Sequence, residues 1–308
     1  MNIVAIGGMG KSALTWKWFE QIAPQEMAPL AGRMWWSFYE SNASFENFVI
    51  DALVYCSSPG DAPVTREEAK KLHPDERERR LLALLDRQPV LLVLDGLERI
   101  LNAYARLDAN RLRDDDLDQR TAHKVRGLFG LPEGAEASFT GEHRLRQSAD
   151  PRADRFLRRL AMVRAARVLV STRLYPAALQ EITYSPIHGA FAIFLKGLSD
   201  ADAVDLARRG GMTGGAEAML AAFRRFDNYP LLIRALAREV AAYKRAPGDF
   251  VKWQAANPAF APALARLRNE DAKSHVLRYA LDGLGEAEMR LLTTIAAFRM
   301  PASYDSLV

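Results

Sequence analysis

In AIGGMGKS, Ala5 to Ser12, three glycines stand ahead of a lysine and a serine. Glycine has no Cβ, so such a backbone can take positive φ and turn its N–H groups inward around an anion. Lys11 would reach the β- and γ-phosphates of a nucleoside triphosphate, and the Ser12 hydroxyl would complete a magnesium shell. Gly7, Gly8, Met9, Gly10, Lys11, Ser12 and Ala13 are therefore the candidate phosphate-binding residues. The strict pattern G-x-x-x-x-G-K-[ST] has glycine where Ala5 stands, a minor departure at a position that tolerates a small residue. The competing reading is an ordinary glycine turn.

A phosphate loop needs a magnesium ligand. Val90 to Leu94 is a continuous apolar run that ends in Asp95. A carboxylate at the C-terminal end of a parallel strand lies where such sheets bind ligands, and it can hold Mg²⁺ directly or through water. Glu98, three residues on in DGLE, either orients and deprotonates the attacking water or is a helix-start acid that complements the dipole. Arg173 closes the run ARVLVSTR and should emerge on the same sheet edge. A guanidinium there can sense a γ-phosphate and neutralise developing charge; the alternative is a surface arginine after a strand.

These residues need elements to position them. Asn2 to Ile6 reads as a strand, and the apolar residues from Ala13 to Phe19 as a helix, which is the context a phosphate loop requires. A polar, proline-bearing stretch, QIAPQEMAPLAG, follows. GRMWWSFYES reads as a buried strand whose Trp35, Trp36, Phe38 and Tyr39 are core. SFENFVIDALVY has helical spacing. Ser57 to Thr65 is a loop, and Glu67 to Asp86 is one charged helix. Val90 to Leu94 and Ala166 to Val170 are central parallel strands. Residues 102 to 155 alternate Arg and Asp in blocks, which predicts a solvated loop-and-helix insertion or, alternatively, a docking site for a partner. Beyond Leu195 the composition is helical, with no further clear central strand.

The bulk numbers exclude several classes. With 308 residues, the chain is long enough for one large domain or two to three smaller ones. Charged residues at 26% are ordinary for a globular protein, and the net charge of +4 is too even to argue for nucleic acid. No apolar run approaches a membrane span, and the N-terminus has no basic leader, so no membrane partner is expected. The lone Cys56, a small residue at a helix end, cannot form an internal disulfide, and a cytoplasmic location fits. The histidines show no metal-ligand spacing.

The order AIGGMGKSAL, MWWSFYES, LLVLDGLE, VLVSTR, NYPLLIRALA resembles the NB-ARC type of STAND ATPase, a family that includes plant disease-resistance proteins and the apoptotic protease-activating factor. The resemblance runs from Val4 to about Leu307. It implies an α/β fold: a P-loop NTPase with a parallel sheet flanked by helices over 1–190, a small helical domain over 191–268, and the start of a winged-helix domain over 269–308. It implies ATP/ADP and Mg²⁺ as ligands, with Ser12 and Asp95 on the metal, Arg173 as the γ-phosphate sensor and Pro230 of the G-x-P motif near the adenine. Asn228 replaces the glycine of that motif. DGLE replaces the DD pair usual in plant members, with Arg99 where another acid stands in the DGxDE style, which leaves the hydrolysis base open.

The implied function is a signal-transduction switch with slow ATP hydrolysis that controls domain opening and self-oligomerisation, in bacterial defence or regulation, under an unidentified trigger ligand. The chain is read as a fragment of a multidomain protein, with effector and sensor domains outside it and no nucleic-acid partner of its own. The rival functions are an AAA+-type motor or loader acting on nucleic acid and a nucleotide-switched transcription regulator.

Overall fold

The computed structural model describes residues 1–27, 29–40, 42–58, 63–105, 143–181 and 185–258, with single positions 260, 290 and 293. Among them, five strands make one sheet: β1 (Asn2–Val4), β2 (Gly32–Ser37), β3 (Val90–Asp95), β4 (Arg167–Thr172) and β5 (Ala192–Phe194). Every pairing is parallel, and the spatial order is β2-β3-β4-β1-β5. Parallel neighbours require crossover connections, and these cover both faces of the sheet with helices. β3 is buried at every position. Its Val90, Leu92 and Leu94 enter one apolar cluster, and its Leu91 and Val93 the other, as the two-residue period of a strand demands.

The first cluster packs against α3 (Phe45–Ser57), α4 (Arg66–Lys71), α5 (Pro74–Arg87) and the helix Pro151–Leu160. Ser44 caps α3 by accepting the Asn47 N–H at 3.1 Å, and Thr65 with Glu68 forms a reciprocal capping box on α4. Phe48 is the hub of this layer, with ring centroids 5.9 Å from Trp36, 6.1 Å from Phe38 and 6.0 Å from Phe156. The second cluster lies under the helical stretch after the glycine loop: α1 (Lys11–Lys17), a π-helical turn (Trp18–Ile22) and α2 (Ala23–Glu26).

Several expectations need correction. The stretch holding Pro24 is helical, because the π turn precedes a proline in the first turn of α2, where its missing N–H is tolerated. The expected single helix from Glu67 to Asp86 is two, broken where Leu72 and His73 turn extended ahead of Pro74. A short edge strand, β5, pairs with β1 where none was expected. Much of the polar insertion, 106–142, lies outside the described residues. Its returning end is solvated only in part: His143 and Arg144 are exposed, but Arg146 is buried and donates to Tyr175 O at 3.1 Å and Gln180 Oε1 at 2.8 Å. Ala153 and Phe156 on the following helix are core.

The outer edge of β2 is capped from α3. The Tyr55 hydroxyl accepts the Arg33 N–H at 2.7 Å and donates to the Arg33 carbonyl at 2.8 Å. A Cβ on Gly32 would sit 2.8 Å from that hydroxyl.

The chain divides into two compact units, Met1–Gly7 with Lys11–Leu195, and Gly8–Gly10 with Lys196–Val308. In the second unit, helices Asp200–Arg209, Ala216–Phe223, Pro230–Ala241 and Phe250–Ala256 bury Leu232, Ile233, Leu236, Phe223 and Phe250. Asp227 and Asn228 both adopt left-handed φ, 56° and 51°. Asparagine tolerates that conformation, and its Nδ2 donates to Leu198 O and Asp200 Oδ1, each at 2.9 Å. This accounts for Asn228 at a position where glycine was expected. The expected winged-helix segment, 269–308, lies outside the described residues except at 290 and 293.

Phe48→Ala should lower the unfolding free energy by about 3–5 kcal/mol. A urea titration followed by circular dichroism measures it, and a loss well under that range would mean the neighbouring rings close over the gap.

Candidate functional site

The register of the sheet brings the chemistry to one edge. Val4 of β1 pairs with Thr172, and Asp95 of β3 pairs with Ser171, so β1, β3 and β4 end level with one another. The chain leaves β1 into the glycine loop, leaves β3 at Asp95 and leaves β4 at Arg173. Gly8 and Gly10 have φ of 79° and 84°, a region that glycine alone enters without strain. A Cβ on Gly10 would meet nothing, so glycine serves the backbone conformation there. Met9 lies between them in the turn.

Lys11 opens α1 and is buried. Its Nζ donates to the carbonyls of Ala5 at 2.6 Å and Ile6 at 3.1 Å. Burial lowers its pKa; Glu98 and Asp95 oppose that shift, and Arg173 adds to it. Ser12 Oγ donates to Asp95 Oδ1 at 2.8 Å, so the two expected metal ligands already touch. Ala13 lies exposed on α1 and brings no functional side chain. Burial raises the Asp95 pKa, with the Ser171 and Ser12 hydroxyls and Lys11 opposing. Of the two hydroxyls, the Ser12 contact has proper hydrogen-bond geometry, and Ser171 Oγ does not.

Glu98 follows Gly96, which takes a left-handed φ of 72° to turn the chain off β3 into a short 3₁₀ turn, Leu97–Ile100. Its side chain is 0% exposed. Oε1 accepts the Tyr39 hydroxyl at 2.5 Å and lies 3.2 Å from Arg173 Nε, while Oε2 accepts the Arg173 backbone N–H at 3.0 Å. Arg173 also faces the glycine loop: a Cβ on Gly7 would fall 3.1 Å from its Cζ. Burial penalises the Arg173 charge, but Tyr39, Tyr104 and Glu98 outweigh it, and the net direction is upward.

Lys11, Ser12, Asp95, Glu98 and Arg173 thus stand together at this edge of the sheet, with Arg173 against Gly7. Pro230 opens its helix in the second unit. Tyr39 departs from expectation. Like Trp35 and Trp36 it is only partly buried, Phe38 alone of the four being core, and its phenol belongs to the polar cluster. Its place at the end of β2, on the same edge as Asp95, was the available signal, hidden in a run of aromatics. A hydroxyl and a single carboxylate, hard oxygen donors in contact, suit Mg²⁺ that keeps phosphate and water ligands. Among the described residues no group of three or more His, Cys, Asp or Glu could enclose a metal by itself.

The buried Asp95 charge should cost the ligand-free protein stability. A carboxyl whose folded pKa is raised carries no penalty below its unfolded pKa of ~3.9, and the full penalty above its folded pKa. Asp95→Asn should therefore raise the melting temperature near neutral pH, with the gain vanishing as the pH falls below ~4. The same variant should lose magnesium-dependent nucleotide binding. Melting curves across pH check the first part and calorimetric titration the second.

No protein-family model matches the chain, and no curated protein matches it in sequence. Among solved structures it is similar to a signal-transduction ATPase with numerous domains (STAND) from Pyrococcus horikoshii, a protein with a tetratricopeptide repeat sensor. The TM-score is 0.54 at 14% identity, over 99% of this chain and 33% of that one. The chain thus spans about a third of that protein's length. A looser match, to the Aeropyrum pernix ORC2 protein, covers 96% of this chain and 67% of that one at 15% identity, with a TM-score of 0.38, too low to bear on the fold. The parallel sheet, its helical layers and the likeness to the STAND protein together give the chain the fold of the P-loop nucleoside triphosphatases.

Proposed function

We propose that the chain binds ATP and ADP as a STAND-type switch of the NB-ARC style. Slow hydrolysis sets the lifetime of the triphosphate state, and that state governs domain opening and self-assembly under a trigger ligand. The observation that carries this reading is the convergence of Lys11, the Ser12–Asp95 pair and Arg173 on one sheet edge, with Arg173 against Gly7.

Each residue has work to do there. Lys11 exchanges the carbonyls of Ala5 and Ile6 for phosphate oxygens, a stronger charge-assisted contact. Ser12 and Asp95 would hold Mg²⁺, which would supply charge neutralisation to the phosphates. Arg173, beside Gly7, faces the end of a triphosphate and distinguishes it from a diphosphate. Glu98 takes the proton of the attacking water. Pro230 near the adenine follows from the motif resemblance.

Lys11→Ala should weaken both nucleotides by ~1.5–3 kcal/mol. Arg173→Gln should leave ADP affinity nearly intact and narrow the preference between ATP and ADP. Calorimetric titration with each nucleotide in magnesium tests both. Unchanged affinity in Lys11→Ala would overturn the phosphate-loop assignment.

A further inference from the structure

The nucleotide reading leaves Tyr39 without a role. Its ring is not loosely packed. It lies so close to the backbone at Gly96 that a Cβ there would fall 2.5 Å from Tyr39 Cε2, and the Arg99 guanidinium stands 5.9 Å from its centroid on the ring face. The backbone after β3 and a cation therefore hold the ring in one orientation. That orientation delivers the hydroxyl to Glu98 Oε1 at 2.5 Å.

The second occupant of the same carboxylate is Arg173. Its Nε forms an ion pair with Oε1 at 3.2 Å, without hydrogen-bond geometry, and its backbone N–H donates to Oε2. Both oxygens of Glu98 are engaged, and no solvent reaches the side chain. A general base needs an oxygen within hydrogen-bond reach of the water it deprotonates. Here Oε1 already accepts the Tyr39 hydroxyl, lies against Arg173 and is closed to solvent. Burial first, and the Glu98 charge second, push the Tyr39 phenol pKa up, so it stays protonated and donating throughout the neutral range.

We propose that Tyr39 is a positioning residue that, together with Arg173, restrains the Glu98 carboxylate, so that ATP hydrolysis proceeds only when both grips on Oε1 loosen. The inference rests on the nucleotide reading above and deepens it. A γ-phosphate competes with Glu98 for the Arg173 guanidinium, which removes one grip. Tyr39 keeps the other and so makes hydrolysis slow after ATP has bound. When Oε1 is released, it takes one proton from water as the water oxygen bonds to the γ-phosphorus and the bond to the ADP oxygen breaks. The products are ADP and phosphate.

Tyr39→Phe tests this directly, because phenylalanine keeps the ring against Gly96 and Arg99 and deletes only the hydroxyl. ATP and ADP dissociation constants should stay within about twofold of the parent, since the phenol donates to Glu98 and the neutral ring that remains carries no charge to add or remove. The single-turnover rate of Mg·ATP hydrolysis should rise on the order of tenfold, a fraction of what a freed general base can contribute. A residue that merely supports the fold would shift affinity and rate together, or neither. The rate gain should disappear in the Tyr39→Phe, Glu98→Gln double variant. Equal or slower turnover in Tyr39→Phe with ATP bound, or no turnover in either protein with ATP bound, would overturn the restraint. Failure of the parent protein to bind ATP would instead overturn the nucleotide reading itself.

Discussion

A carboxylate shut off from water, Glu98, joins three strand ends. It takes the hydroxyl that follows β2, belongs to the turn that follows β3, and accepts the first backbone N–H beyond β4. A buried charge is tolerated only when it is paired and hydrogen-bonded, and here the partners come from two other segments, Tyr39 after β2 and Arg173 after β4. The residues expected to do chemistry are placed by the same tie. Arg173 can face Gly7 because its own backbone is anchored to Glu98, and the turn that carries Glu98 exists because Gly96 takes a left-handed φ.

The rest of the cluster follows the same economy. Lys11 is satisfied by carbonyls of its own loop, and the Ser12 hydroxyl by Asp95. Two cations and two carboxylates therefore balance one another without any ligand. Under the proposed function, an incoming phosphate would exchange existing contacts for stronger ones, so net affinity would be a difference between two well-paired states. Such a site is intrinsically responsive: any element that alters the internal pairs alters the affinity.

Much of this was legible in the sequence, for identifiable reasons. Gly8 and Gly10 are legible because their positive φ restricts which residues can stand there, and Lys11 and Ser12 because they follow at the spacing of the motif. Asp95 and Arg173 are legible because each ends a buried apolar run, and parallel strands deliver such ends to one edge. Tyr39 is not, because an aromatic that ends a strand carries the same local signal whether its hydroxyl is used or idle. β5 is hidden by its length of three residues, too short for alternation to register. The break at Leu72 and His73 was signalled by Pro74 but outweighed by the charged helical pattern on either side. Arg146 reads as solvated because composition cannot distinguish a charged side chain in water from one held by Tyr175 and Gln180. Asn228 shows the reverse: a departure from a motif that its left-handed backbone explains.

The phenol of Tyr55 has a consequence beyond the contacts it makes. β2 is an outermost strand, and an open strand edge is a template on which another chain can add. At Arg33 both backbone groups that such a chain would need are already occupied by one side-chain hydroxyl. A strand approaching at Arg33 would have to break both of these hydrogen bonds to pair there. Lateral growth of this sheet, whether into an aggregate or a shared sheet between copies, is thereby disfavoured along β2. It is left to the opposite border, where β5 offers a strand of only three residues.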